Sequence, residues 1–307
     1  METEKTPSAW RNRDLISARG ITRIEIEEIL EEARAMEGDA RNYKRALEGK
    51  IIATLFFEPS TRTQFSFQSA AYKLGAQVIS LSGSSSSSVA KGETLHDTIK
   101  LVQACADAIV IRHPKEGSAQ LAAEASSVPV INGGDGANQH PTQGLLDLYT
   151  VKKELGKIDG LSFLFVGDLK YGRTMHSFSY LLSNYDVELL FYSPPGLKLP
   201  PSMMGEIRNN VKVRELDSLD LTTADVVYAT RIQKERFADP AEYRKYSYEI
   251  NAESMKQIRK DALLMHPLPR VGEINPEVDG DPRAAYFRQE ANGVPIRMAV
   301  LKKILCG

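Results

Sequence analysis

Ser60, Thr61, Arg62 and Thr63 place three hydroxyls and a guanidinium in four consecutive residues. Both groups donate to oxyanions, and arginine matches phosphate and carboxylate with paired N–H bonds. The stretch before them, 51–57, is apolar and rich in β-branched and aromatic residues, as a buried strand is. After them Phe67, Ala70, Ala71 and Leu74 recur at helical spacing. The polar run therefore falls where a strand turns into a helix. The unpaired N–H groups and positive dipole end of such a helix N-terminus favour an anion. Serine and threonine also cap ordinary helices, but a cap uses one hydroxyl and has no need of Arg62 buried among them.

In open parallel sheets ligands gather at the carboxyl ends of the strands, and further polar clusters stand at such ends. Arg112-His113-Pro114 closes the expected strand 108–111, and His140-Pro141-Thr142-Gln143 opens the helix 141–155 after strand 128–131. Gly172-Arg173-Thr174 follows strand 162–166, Thr230-Arg231-Ile232-Gln233 ends strand 225–229, and His266-Pro267-Leu268-Pro269-Arg270 ends strand 262–265. Singly, an arginine after a strand is usually a surface residue and a lone histidine a structural one. Jointly, Arg62, Arg112, Arg173 and Arg231 are expected to crowd one cleft, which requires polyanionic ligands. The serine run 82–88 has the composition of a plain linker, yet it leads into Lys91-Gly92-Glu93-Thr94 and could serve as a lid that carries a lysine. No metal is expected, because the five histidines lack ligand spacing and no acidic cluster forms an oxygen cage. No cofactor is expected either: no Gly-x-Gly-x-x-Gly follows a strand, and no Walker lysine follows a glycine loop. The chemistry that remains is positioning and charge stabilisation of a reactive phosphate compound.

The elements that must hold these residues alternate. A helix is expected from Asp14, with Ile24, Ile26, Ile29 and Leu30 apolar among glutamates. Strands follow at 51–57, 77–81, 108–111 and 128–131, interleaved with helices at 93–105 and 119–125, and the helix 141–155 leads to a second series of strands at 162–166, 187–192, 211–215, 225–229 and 262–265. Such alternation predicts an α/β fold of two doubly wound parallel-sheet domains with an active site between them. The last helix, 282–305 with a break at 293–295, has too little partner of its own and is expected to pack back across the junction. The domains are then 1–142, completed by 290–307, and 143–289, as suits 307 residues. With 39 basic against 40 acidic side chains, neither nucleic acid nor an anionic membrane finds a footprint. No stretch has the length of a membrane span, and residues 1–10 are polar rather than a signal. Cys105, in a helical pattern, and Cys306 support neither a disulfide framework nor a thiolate metal site, so a soluble protein of a reducing cytoplasm is expected.

The run 56–63, Phe-Phe-Glu-Pro-Ser-Thr-Arg-Thr, closely resembles the carbamoyl phosphate motif of the aspartate/ornithine carbamoyltransferase family. The likeness continues in order over nearly the whole chain. It passes through Lys91-Gly92-Glu93-Thr94-Leu95, Arg112-His113-Pro114, the stretch from Gly134-Asp135-Gly136 to Gln143, residues 167–174, residues 230–236, and His266 to Arg270. It is similar to the aspartate-using branch. That resemblance implies transfer of the carbamoyl group of carbamoyl phosphate to the α-amine of L-aspartate, giving N-carbamoyl-L-aspartate and phosphate in pyrimidine synthesis. Residues 1–142 would form the carbamoyl phosphate domain and 143–289 the aspartate domain.

The resemblance also implies roles. Ser60, Thr61, Arg62, Thr63 and Arg112 would hold the phosphate, with Arg62 stabilising the bridging oxygen as phosphate leaves. Thr63, Arg112 and His140 would face the carbamoyl oxygen, and Gln143 its amine. Arg173 and Arg231, helped by Gln233, would bind the two carboxylates of aspartate, and Leu268 and Pro269 would lend backbone carbonyls to the substrate amines. Lys91 and Ser87 would enter the site of a neighbouring subunit, so that a homotrimer shares its active sites. Glu58 would pair with Arg173 and Arg236 to hold the domains closed. Separate zinc-containing regulatory chains are a further partner found in this family. The chain departs from the family pattern at Gln64 and Gln68, where an arginine and a glutamate are common, and at Ala90, where a second lysine often stands. An ornithine-using enzyme would share the phosphate half, but a second arginine would repel its cationic substrate, and Pro267 stands where that branch has cysteine. A non-catalytic scaffolding homologue should have lost some of these ligands.

Overall fold

A computed structural model describes residues 10–83, 92–232 and 247–307, which form two compact units. One comprises the described residues up to Leu145 together with Asn292–Gly307, the other Leu146–Ala291.

The first unit is built on four parallel strands, β1 (Ile51–Phe56), β2 (Gln77–Ser82), β3 (Ala108–His113) and β4 (Val130–Asp135), in the order β2-β1-β3-β4. Strand side chains alternate between faces. Ala53 and Leu55 of β1 and Ile109 and Ile111 of β3 join one cluster with Ala119 and Ala122 of α4 (Ser118–Ala125) and Ile99 of α3 (Leu95–Val102). The opposite face lies under α2 (Thr61–Lys73), whose Phe67, Ala70 and Ala71 are buried. The C-terminal helix α10 (Gly293–Cys306) packs on α2 and on α1 (Arg23–Gly38) and so completes this unit.

Several elements differ from the sequence expectation, each for a local reason. Helix α1 starts at Arg23 and not at Asp14, because Thr22 and Glu25 close a reciprocal capping box. The residues before it extend the sheet instead: Leu15 bridges to Ile131, and Asp14 Oδ1 accepts the Val130 N–H at 2.8 Å. Thr94 caps α3 through the Asp97 N–H, which moves its start to Leu95, and the helix ends at Val102, leaving Cys105 beyond it. Strand β4 runs on through Gly133 and Gly134 to Asp135, buried throughout. The break in the last helix falls at Asn292, between α9 (Tyr286–Ala291) and α10. Gly293 and Pro295 open α10, and proline is tolerated there because first-turn N–H groups have no intrahelical partner.

The second unit carries five parallel strands, β5 (Ser162–Val166), β6 (Glu188–Tyr192), β7 (Lys212–Glu215), β8 (Val226–Ala229) and β9 (Leu263–Met265), in the order β7-β6-β5-β8-β9. Helix α5 (Pro141–Leu155) enters it, and α6 (Arg173–Leu182), α7 (Pro201–Arg208) and α8 (Ala252–Gln257) belong to it. Phe163 and Phe165 of β5 contact Phe178 of α6 edge-on, and Phe165 stacks on Phe191 of β6. Leu164 and Val166 face the other way, into a cluster with Val227, Leu264 and Tyr286.

Just past β5, Gly167 adopts φ +121°, and a Cβ there would stand 2.3 Å from the Thr230 carbonyl oxygen beyond β8. The ends of the two central strands approach this closely only because that side chain is missing. Gly167→Ala is expected to destabilise the protein by on the order of 2–4 kcal/mol, read as a lower urea midpoint at unchanged m-value.

Candidate active site

In the first unit the polar run sits as its position between strand and helix requires. Ser60 is the N-cap of α2, but its side chain makes no capping hydrogen bond, so the ordinary-cap reading does not explain the hydroxyl. Thr63 is buried, whereas Arg62, the second residue of α2, is exposed rather than buried as expected. Thr63 Oγ1 lies 3.4 Å from His140 Nε2. Gly133 of β4 lies close by: a Cβ there would stand in ordinary contact, 3.6 Å, with the Thr63 methyl, and more tightly, 3.3 Å, against the Ile111 carbonyl oxygen of β3.

Arg112, opposite Phe56 in the register of β3 and β1, points its guanidinium to Glu58 Oε1 at 2.8 Å and to the Gly133 carbonyl at 3.3 Å. His140 and Gln143 are both buried, at the start of α5. The turn before His140 is held by Asp135, a fully buried carboxylate that sequence reading did not single out. Asp135 accepts from Asn132 Nδ2, the Gln139 N–H, the Gly117 N–H and Asn138 Nδ2, at 2.8 to 3.2 Å. Its signal in the sequence is only a Gly-Asp-Gly turn.

Gln64 and Gln68, the departures from the family pattern, do not pair with each other. Gln64 Nε2 donates to Ser82 Oγ at 2.7 Å and Gln68 Nε2 to Ser80 Oγ at 2.9 Å, pinning edge strand β2 to α2.

In the second unit Arg173 is the first residue of α6. Gly172 before it has no room for a side chain, since a Cβ would meet the Asp168 carbonyl at 2.4 Å, and Asp168 Oδ1 accepts the Lys170 and Tyr171 N–H groups. Arg231 follows β8, where the Tyr248 hydroxyl donates to the Thr230 carbonyl at 2.7 Å. Burial and the nearby Glu273 carboxylate push that hydroxyl well above the usual phenol range. Leu268 adopts φ +46° ahead of a cis bond to Pro269, and its N–H donates to His266 Nδ1. Glu273 takes His266 Nε2 at 2.7 Å; burial raises its carboxyl, but the bonds from His266 and the Val271 N–H outweigh burial and hold it below the ordinary value. Neither Tyr248 nor Glu273 belongs to a motif legible in the sequence.

The structure therefore gathers Glu58, Ser60–Thr63, Arg112, His140 and Gln143 in one unit, and Arg173, Arg231, Leu268 and Pro269 in the other. Ser87, Lys91, Gln233 and Arg236 lie outside the described residues. Among the described residues no group of three or more His, Cys, Asp or Glu is placed to hold a metal, and no helix is long and apolar enough to cross a membrane.

Known proteins share much of this sequence and its fold. Two family models match: the aspartate/ornithine carbamoyltransferase carbamoyl-P binding domain over residues 13–153 and the Asp/Orn binding domain over 159–304. The chain is 54% identical over 300 residues to the aspartate carbamoyltransferase catalytic subunit of Thermococcus kodakarensis, covering 95% of this chain and 96% of that one. It superposes on the catalytic subunit of M. jannaschii aspartate transcarbamoylase with a TM-score of 0.88 at 53% identity, over 95% of this chain and 97% of that one. Against aspartate transcarbamoylase from Trypanosoma cruzi in complex with carbamoyl phosphate and aspartate the TM-score is 0.93 at 36% identity, over 98% of this chain and 99% of that one.

One titration follows from the geometry. His113, next to Arg112, accepts the Lys115 N–H at Nδ1, and burial together with the Lys115 charge holds its pKa below the ordinary 6.5. The unfolded chain therefore takes up this proton first. Stability is complete above the ordinary value and falls as pH drops through the native one. Urea unfolding from pH 7 to 5 is expected to show a loss of stability that His113→Gln reduces.

Proposed function

The chain belongs to the aspartate/ornithine carbamoyltransferase family, and on that premise we propose that it transfers the carbamoyl group of carbamoyl phosphate to the α-amine of L-aspartate. The observation that carries this reading is the pairing of two chemistries. One half-site is an oxyanion cradle at a helix N-terminus, with the Thr63–His140 contact and the Arg112 guanidinium beside it. The other has an arginine at each of two strand ends, Arg173 and Arg231, which suits an acceptor with two carboxylates.

In this reading Ser60, Thr61, Arg62 and Thr63 hold the phosphate in front of α2, and Arg112 bridges phosphate and carbamoyl oxygen. As the amine attacks the carbamoyl carbon, negative charge grows on the carbonyl oxygen. Thr63, His140 and Arg112 stabilise that charge by hydrogen bonds already in place, without a covalent intermediate. Gln143 orients the carbamoyl amine. The new C–N bond forms, the C–O bond to phosphate breaks, and the departing phosphate, its charge met by Arg62, takes the proton from the amine. Leu268 and Pro269 receive the substrate amines at their carbonyls, and Gln233 assists Arg231. Both substrates must touch, so the two half-sites act as one, and Glu58 exchanges Arg112 for Arg173 and Arg236 as the site closes.

A homotrimer belongs to the same reading. On α2, Phe65 and Tyr72 are 64% and 61% exposed, and Ile79 of edge strand β2 is 41% exposed. An apolar face of this kind suits a subunit interface. The strand beneath it leads into the segment bearing Ser87 and Lys91, which would enter the neighbour's site. The relatives are named catalytic subunits, a word for one chain of a larger assembly, so zinc-containing regulatory chains are a consistent partner. The two free, exposed cysteines suit a reducing cytoplasm.

The direct test is product formation from carbamoyl phosphate with L-aspartate and, separately, L-ornithine. Ureido product from aspartate alone is expected, and Arg231→Ala should lower kcat/KM for aspartate by about 100-fold or more. Product from ornithine alone would refute the acceptor assignment. For the trimer, Arg62→Ala and Lys91→Ala chains, each inactive, are mixed and allowed to exchange. Sites intact in both residues should restore part of the activity; none after verified exchange would rule out shared sites.

A further inference from the structure

The turn after β9 holds a relay that the reaction as described leaves unused. His266 is 1% exposed, and its ring nitrogens are committed in opposite directions: Nδ1 accepts the Leu268 N–H at 2.8 Å and Nε2 lies 2.7 Å from Glu273 Oε1. A ring nitrogen that accepts from a peptide N–H carries no proton, so the proton sits on Nε2 and is donated to the carboxylate. Glu273 Oε2 accepts the Val271 N–H at 3.0 Å. One carboxylate thus grips the turn on both sides of Leu268 and Pro269. The backbone there needs gripping, because Leu268 at φ +46° occupies a region that a leucine rarely adopts.

The rest of the turn is secured independently. The His266 N–H donates to Gln289 Oε1 at 2.9 Å, and Gln289 Nε2 donates to the fully buried Asp147 at 2.6 Å. The strand end is therefore fixed without Glu273. The carboxylate is left to set the tautomer of His266 and the conformation of the two residues beyond it.

We propose that Glu273 is a positioning residue for the amino-acid substrate, acting through the Nε2–H tautomer of His266 to fix the Leu268–Pro269 backbone that receives the substrate amine. This rests on the amino-acid half-site read above. It assigns Glu273 no contact with substrate and predicts an effect confined to one of the two substrates. Glu273→Gln keeps the shape, but its single carbonyl oxygen can accept from only one of the two donors.

The experiment pairs kinetics with nitrogen-15 NMR. In Glu273→Gln the KM for aspartate is expected to rise about ten-fold, the effect of one lost charge-assisted hydrogen bond, while carbamoyl phosphate affinity measured without aspartate stays at the wild-type value. An unchanged aspartate KM, or equal weakening for both substrates, overturns the proposal. If the variant does not fold, two-bond proton–nitrogen spectra of the wild type decide: His266 should carry its proton on Nε2, and a proton on Nδ1 refutes the relay. Wild-type protein that carbamoylates no aspartate removes the half-site reading and this proposal with it. An active wild type with an unaffected variant removes this proposal alone.

Discussion

A guanidinium at the end of a buried parallel strand must be matched by an anion, and Arg112 is matched by Glu58. Much of the first unit meets at this pair. The Arg112 carbonyl accepts the Phe57 N–H, the guanidinium reaches the Gly133 carbonyl of β4, and Glu58 starts the turn that ends at Ser60. One side chain therefore ties the carboxyl ends of β1, β3 and β4 together and holds a positive charge beside the α2 N-terminus. Any anion bound in front of α2 competes with Glu58 for the same guanidinium, so occupancy of the cradle and the state of that carboxylate are linked by charge alone.

The second unit meets a different demand. Arg231 stands where β8 runs out and Arg173 opens α6 after the turn that follows β5, and the backbone around both is closely packed. Gly167 and Gly172 achieve this by having no side chain, and Tyr248 by joining the two strand ends through the Val166 and Thr230 carbonyls. The polar run of the first unit is carried by side-chain donors on one helix. The polar ends of the second unit rest on turns whose shape is enforced from behind.

This contrast explains how much could be read from the chain. The place of Ser60–Thr63 at a helix N-terminus was legible because a strand, a turn and a helix are each local patterns. The alternation of strands and helices was legible for the same reason, down to the second series of strands. Where the reading failed, a tertiary or capping contact had overruled periodicity: Thr22 with Glu25 moved a helix start that the isoleucines alone could not place, and Leu15 was drawn into the sheet by Ile131. Arg62 was expected among buried hydroxyls, but facing depends on position within the first turn, which motif spacing does not specify. Tyr248 and Glu273 escaped notice altogether, and Asp135 was seen only as part of a Gly-Asp-Gly stretch, without a role. Tyr248 bonds to carbonyls far away in sequence, while Asp135 and Glu273 hold turns largely of their own, and a bond within an irregular turn leaves no periodicity to read.

The amides at Gln64 and Gln68 alter the physical character of α2. Arg62 and Lys73 are the only charged residues in this helix, and its attachment to β2 is made by neutral hydrogen bonds to Ser80 and Ser82. Counter-ions do not screen such bonds, so the grip between helix and edge strand is indifferent to ionic strength, unlike an ion pair in the same place. With no carboxylate on the helix itself, the dipole and Arg62 act on an approaching anion unopposed from α2. Salt will therefore modulate how strongly this end of the molecule attracts an anion while leaving the hydrogen bonds between α2 and β2 unchanged.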